Sequence, residues 1–306
     1  MTSKTLILQI ANAPCSWGVL EFEEQSAAGY DYSRVLDEMR DAGYAGTELG
    51  DWGFMPTEPK QLQDALASRS LALLGAFVPV RLADPSRYED GEAAALRTAA
   101  LLKDAGFPRA FIVLADDIAA SPERTAAAGR VTDDLRLPEP ARQIFATNAE
   151  RVARAVREAS GLRTVFHHHC ASYVETAEEI ADLMMRTNPA LLGLCLDTGH
   201  LTYAGGDPVA AATEFGDRIW HLHLKDCSPE VADRARTNGW NYHDAVRHGV
   251  FCELGRGSVP FPAVLDALGR ARFSGWAVVE QDVLPSLGTP AASAARNRDF
   301  IRTLGY

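Results

Sequence analysis

Two short runs of sequence hold most of the chemistry of this chain. The apolar run 191–196 closes on Asp197 and His200, and the run 218–224 carries His221 and His223 at its end. Side chains on a strand alternate between faces, so His221 and His223 share one face. Two imidazoles and a carboxylate can then converge at one end of a sheet. Imidazole and carboxylate together suit a divalent first-row ion, and a coordination position left open to substrate makes such a site catalytic. Mixed nitrogen and oxygen donors fit Mn2+ or Co2+ better than Ca2+, and Zn2+, Fe2+ and Mg2+ are compatible.

Elements that could hold these residues recur along the 306 residues. Apolar runs suited to strands lie at 5–10, 45–49, 71–80, 111–114, 164–169, 191–196, 218–224 and 276–280. Between and after them, segments with helical spacing or composition lie at 31–42, 60–68, 87–106, 140–159, 178–186, 209–215, 261–272 and 291–304. Eight strands alternating with eight helices is the count of a (β/α)8 TIM barrel, here a single domain spanning 1–306. Chemistry in such a barrel sits at the C-terminal strand ends, and the ends carrying His167 to His169, Asp197, His223 and Glu280 belong to neighbouring strands five to eight. A doubly wound open sheet is the alternative, but no glycine-rich phosphate fingerprint follows the first strand.

Two stretches break the alternation. Residues 119–138 mix charges with Ser-Pro and Leu-Pro steps and are expected as a loop or partial lid. Residues 227–258 carry Trp240, Tyr242, His243 and His248 and end in Gly255-Arg256-Gly257. They are expected as a lid insertion or an ordered oligomer contact.

Composition narrows the partners. The chain has 30 Lys and Arg against 41 Asp and Glu, a net charge of −11, which opposes a phosphate-backbone partner. Five cysteines without a CxxC pair, and no basic-apolar-small leader, point to a reduced, cytoplasmic protein. No apolar run approaches the roughly 20 residues of a membrane span.

The blocks HHHCASYVET, LDTGHLTYAGGDP, HLHLKD and GWAVVEQD, with NAPCSWG near the start, resemble the xylose-isomerase-like superfamily of sugar isomerases, epimerases and dehydratases. Within it they look most like the inosose (2-keto-myo-inositol) dehydratases. The resemblance spans nearly the whole chain. It implies metal ligands on strands five to eight, commonly Glu, Asp, His and Glu; Asp197, His223 and Glu280 match. The first position departs from the pattern, because Glu-x-His is replaced by His167-His168-His169. His167 is placed at the ligand position and His169 beside the substrate. These two share a strand face, so a slip of two residues would exchange them. His168 points away by alternation.

That departure bears on the reaction. Epimerases and isomerases of this barrel use two metal-bound glutamates on opposite sides of the substrate, and one of that pair is missing here. A dehydratase needs a Lewis acid on a ketone, a base for the α-proton and an acid for the leaving hydroxyl. The expected activity is metal-dependent water loss from a cyclic polyol ketone such as scyllo-inosose, with keto-sugar isomerisation or epimerisation as the alternative. His169 is expected as acid or base, His200 at substrate or metal-bound water, and Lys225 at developing enolate charge. Glu48 is expected to bind substrate hydroxyls and Trp17 to wall the pocket. His221 reads as a supporting or packing residue, and Asp226 as an ion-pair partner or cap. Expected partners are a small polyol or keto-sugar and a second copy in a homodimer. A zinc endonuclease of the same barrel would need more His and Glu ligands and a basic groove.

Overall fold

The computed structural model describes residues 6–18, 30–282 and 288–306. Nine parallel strand segments form one sheet in the order that closes a barrel. Eight staves result because one is interrupted: β1 is Leu8–Asn12, β2 Gly46–Thr47, β3 the pair Ala72–Leu73 and Gly75–Val80, β4 Phe111–Asp116, β5 Arg163–His167, β6 Leu192–Asp197, β7 Ile219–Leu224 and β8 Gly275–Val279. The first piece of β3 pairs with β2 and the second with β4, so the chain running through Leu74 closes the ring.

Every residue of β4 and β6 is buried, as expected for staves covered by side chains inside and by helices outside. The eight covering helices are Tyr32–Ala42, Pro59–Ala67, Tyr88–Asp104, Glu139–Ser160, Ala177–Arg186, Pro208–Glu214, Phe261–Arg270 and Pro290–Thr303. The largest apolar cluster lies between strands and helices, and smaller clusters around Val113, Val165 and Cys195 and around Ala11 and Val278 fill the barrel.

Register decides which polar side chains meet. His167 is paired with Cys195, Asp197 with His223, and His223 with Val278. Paired residues face one side of a sheet, and so do residues two apart. His167, Asp197 and His223 therefore share the inner face, and Glu280, two past Val278, continues the column.

Several boundaries differ from the sequence reading. The first strand runs Leu8–Asn12 where 5–10 was expected, Thr5 lying outside the described residues, because β1 takes its register from β8 over Leu8–Asn12. The fifth ends at His167 rather than 169. There the chain turns: the His169 N–H donates to the Val174 carbonyl, and Ala171 adopts a φ of 74°.

The segment expected as a loop at 119–138 contains the helix Pro122–Ala127, whose Ser-Pro step puts proline at its first position, where a missing N–H costs nothing. Residues 227–258 are also built: Asp226–Cys227 and Phe251–Cys252 form a two-stranded ribbon, and between them run helices Pro229–Asn238 and Tyr242–Arg247, capped by Ser228 and Asn241. These helices pack with Ile118, Ala128, Cys170 and Tyr203 around a second apolar core. Arg130 joins the two extra segments, donating to the Trp240 carbonyl at 2.9 Å.

Candidate metal and active site

At the C-terminal mouth, His167, Asp197, His223 and Glu280 each bring a donor atom within 4.8 Å of the other three. Asp197 Oδ2 lies 3.6 Å from His167 Nε2 and 3.8 Å from His223 Nδ1, and Glu280 Oε1 lies 3.3 Å from His223 Nδ1. Ligands at about 2.1 Å from one tetrahedral ion stand roughly 3.4 Å apart. Among the described residues, His167 Nε2, Asp197 Oδ2 and His223 Nδ1 are buried without a hydrogen-bond partner. Buried polar atoms are normally paired, so three orphans facing one point fit a cation.

The surroundings preset these atoms. Asp197 Oδ1 accepts the backbone N–H of His200, capping the helix Thr198–Tyr203, which leaves Oδ2 for the centre. His223 directs Nε2 to Glu48 Oε1 at 3.0 Å; a carboxylate accepts, so that nitrogen carries hydrogen and Nδ1 is the one turned to the centre. The same Glu48 oxygen takes the His221 Nε2 hydrogen at 2.6 Å. A Cβ on Gly75 would stand 2.9 Å from Val113 and 3.4 Å from Glu48 Oε1, so glycine makes room for this bridge. His168 points away and accepts the Asp197 N–H at 3.0 Å.

Charge follows from the same neighbours. Burial works against ionisation of Glu48, but His223 and His221 hold its carboxyl down at about 2. Burial likewise opposes charge on Asp197, yet Lys225 and His167 hold it down at about 2. Burial pushes His167 down, keeping it a neutral donor.

Beside the cluster, Lys225 Nζ lies 3.2 Å from Glu280 Oε2, 3.3 Å from Asp282 Oδ1 and 3.2 Å from His200 Nε2. Gly199 allows this approach, since a Cβ there would sit 2.6 Å from Lys225 Cγ. His169 places Nδ1 at 2.6 Å from the Cys170 carbonyl. A carbonyl only accepts, so Nδ1 carries the hydrogen and Nε2 is a lone pair, 3.2 Å from the Tyr242 hydroxyl. His167, His169, His200, His223, Lys225, Tyr242, Glu280 and Asp282 line one cavity of about 90 Å³.

A match to the xylose isomerase-like TIM barrel family model extends over residues 36–304. The chain belongs to that family. Two relatives span nearly all of it: inosose dehydratase of Geobacillus kaustophilus, 30% identical over 97% of this chain and 94% of its own length, and rhizopine catabolism protein MocC of Rhizobium meliloti, 34% identical over 94% and 85%. Among solved structures, D-psicose 3-epimerase of Clostridium cellulolyticum superposes with a TM-score of 0.69 at 16% identity, covering 97% of this chain and 99% of its own. At that identity the likeness shows the family's fold alone.

Within this family member, one expected contact differs and another is shared with the histidines. Trp17, expected to wall the pocket, is fully buried in the main core, and its Nε1 donates to Glu38 Oε2 at 2.6 Å. The turn Pro14–Trp17 swings the indole outward, and Pro14 and Cys15 line the cavity in its place. Glu48, expected on substrate hydroxyls, lines the cavity but commits Oε1 to His221 and His223.

Among the described residues Asp226 is neither ion-paired nor a helix cap: it accepts the backbone N–H groups of Cys227, Gly255, Gly257 and Val259. The anion that the GRG turn grips is this carboxylate. Cys15, Asp51 and Asp282 line the cavity without having been expected there, as does Tyr242 from the segment 227–258. Asp282 was legible, two residues past Glu280 on an extended tail; Tyr242 lay in a segment whose folding sequence patterning did not reveal. Among the described residues no helix is long and apolar enough to cross a membrane.

Proposed function

We propose that this chain is a divalent-metal-dependent dehydratase acting on a cyclic polyol ketone of the inosose type. The carrying observation is the column of three orphaned donor atoms with Glu280, opening on a cavity that also holds a buried lysine and a lone-pair imidazole. The relatives named inosose dehydratase support the same reading. His167, Asp197, His223 and Glu280 would hold the ion, with Mn2+ or Co2+ suiting two imidazoles and two carboxylates. The bound ion supplies a Lewis acid that polarises the ketone and acidifies the neighbouring C–H.

The chain's own groups handle charge and protons. Lys225, anchored between Asp282 and Glu280, presents its ammonium to the oxygen on which enolate charge develops. His169 Nε2 takes the α-proton and then returns it to the departing β-hydroxyl, so substrate loses water and the imidazole ends neutral. His200, 3.2 Å from Lys225 and with its ring centroid 3.9 Å from that of His169, orients both. Glu48 fixes the His223 ring for the metal.

An epimerase needs a second proton-transfer group on the opposite face of the substrate. Among the described residues Glu280 is the only metal-column glutamate, and its two oxygens already face His223 and Lys225. The test is turnover of Mn2+-loaded protein on scyllo-inosose in deuterated water, beside a chelated control. Loss of one water, abolished by chelation, is expected. Deuterium uptake with the skeleton intact would replace the dehydratase by an epimerase or isomerase.

A further inference from the structure

The catalytic cavity is the smaller of two adjoining spaces. An outer chamber of about 610 Å³ meets the inner cavity of about 90 Å³ at Asp51 and Ile118, which line both. Clefts that enclose small ligands commonly measure about 300–1,000 Å³. The inner cavity alone falls below that range and the joined pair reaches it.

The outer chamber has built walls. Pro79 comes from β3, Pro122 and Thr125 from the helix after β4, and Asn241 from the cap over the barrel. Arg130 ties the last two walls together, donating to the Ala126 carbonyl at 2.6 Å on one side and the Trp240 carbonyl at 2.9 Å on the other. Ile118, Pro79 and Pro122 offer apolar surface, and Thr125 and Asn241 offer polar atoms beside it. That mixture suits a sugar ring, which has C–H faces and hydroxyl edges. No lysine or arginine lines the chamber among the described residues, whereas Asp51 and Asp117 do, so a phosphorylated substituent is disfavoured.

Asp51 supplies the independent sign of a ligand. Glu48, Glu280 and Asp282 are engaged by His221, His223 and Lys225, and Asp117 is held by Arg81 at 2.8 Å. The Asp51 carboxylate alone among the acids of the two spaces has no hydrogen bond or ion pair among the described residues, although it is half-buried at the waist between them. Its oxygens have no protein donor to displace, so ligand hydroxyls at the waist can replace the water that reaches them.

We propose that the outer chamber is a second substrate subsite that takes a neutral substituent of sugar-ring size, with Asp51 accepting hydrogen bonds from hydroxyls next to the linkage. Resting on the dehydratase reading of the inner site, this makes the substrate class an O-glycosylated keto-polyol or keto-sugar rather than the bare ring.

Calorimetry with two non-ketone probes, myo-inositol and an O-galactosyl-myo-inositol, tests the subsite apart from turnover. The glycosylated probe is expected to bind at least about tenfold more tightly, a difference of about 1.4 kcal/mol. Ala126→Trp, which fills the chamber from an exposed helix position, and Asp51→Asn should each cut that ratio about fivefold or more. Equal affinity for the two probes, or a ratio that Ala126→Trp leaves unchanged, overturns the subsite even when bare inosose loses water. A preserved ratio with no water loss from either the bare or the glycosylated ketone supports the subsite and removes the dehydratase.

Discussion

Asp116 and Asp197 end two strands of one barrel and are wired alike. Each is buried; each accepts a backbone N–H with one oxygen, Asp116 from Tyr173 in a loop at 3.1 Å and Asp197 from His200 in the following helix at 2.8 Å; each leaves the other oxygen unpartnered among the described residues. Their ionisation is pushed in opposite directions. Burial pushes the Asp116 carboxyl up to about 7, the Tyr173 N–H opposing and Asp117 adding to the rise. Burial acts on Asp197 too, but Lys225 and His167 override it and hold the group ionised. A strand-end carboxylate is kept ionised, as the proposed metal ligation needs, by what stands beside it on the next strands, and position in the barrel does not suffice.

The largest expected effect removes the charge that separates the two aspartates. Asp197→Asn keeps the oxygen that caps the helix after β6 and changes little volume, so the fold should survive with its circular dichroism intact. Bound metal should fall to background by elemental analysis, and kcat/KM on inosose should drop by more than about a thousandfold. Glu280→Gln should behave likewise. Added Mn2+ should raise the Tm of the native chain, by the equivalent of about 2.7 kcal/mol at a hundred times Kd, and leave that of Asp197→Asn unmoved. Full metal retention in both variants would remove the ligand column.

Smaller effects come from the residues that set the ligands' surroundings. Lys225→Met should keep metal and lose about a hundredfold in kcat, because the ammonium faces the charge that develops during reaction. Metal lost together with rate would mean that Lys225 acts by holding Glu280 in place. Glu48→Gln should weaken metal binding about 10- to 100-fold, as is usual when a carboxylate behind a ligating histidine is altered. An increase in KM with metal affinity intact would return Glu48 to the substrate-binding role expected from its strand end.

Much of this arrangement was legible before any coordinates. Alternating apolar runs gave eight staves, and strand alternation put His221 with His223 and turned His168 away. What could not be read depends on contacts distant in sequence or on local turns. Glu48 meets His221 and His223 across 173 and 175 residues, a pairing decided by barrel closure. The direction of Trp17 depends on one short helical turn before Gly18, whose φ is 80°. The cap at 227–258 looked irregular because its helices are short and bury one face against residues from three other loops, so no long amphipathic period betrays them.

Asp116→Asn tests the other half of the comparison and carries the smallest effect, on stability alone. An aspartate in the unfolded chain titrates near 3.9. With its folded value raised to about 7, the folded protein keeps a proton between about pH 4 and 7 that the unfolded chain has released. Unfolding in that window releases a proton, so the stability Asp116 contributes falls as pH rises through it and is level above about 7. Asparagine never ionises and can still accept the Tyr173 N–H. The variant should therefore melt with the native chain near pH 4.5 and above it at pH 8, by a few degrees per kcal/mol in a chain of this size. A Tm difference that stays the same at both pH values would mean that Asp116 is ionised throughout. Its free oxygen would then require a positive partner, and the contrast with Asp197 would disappear.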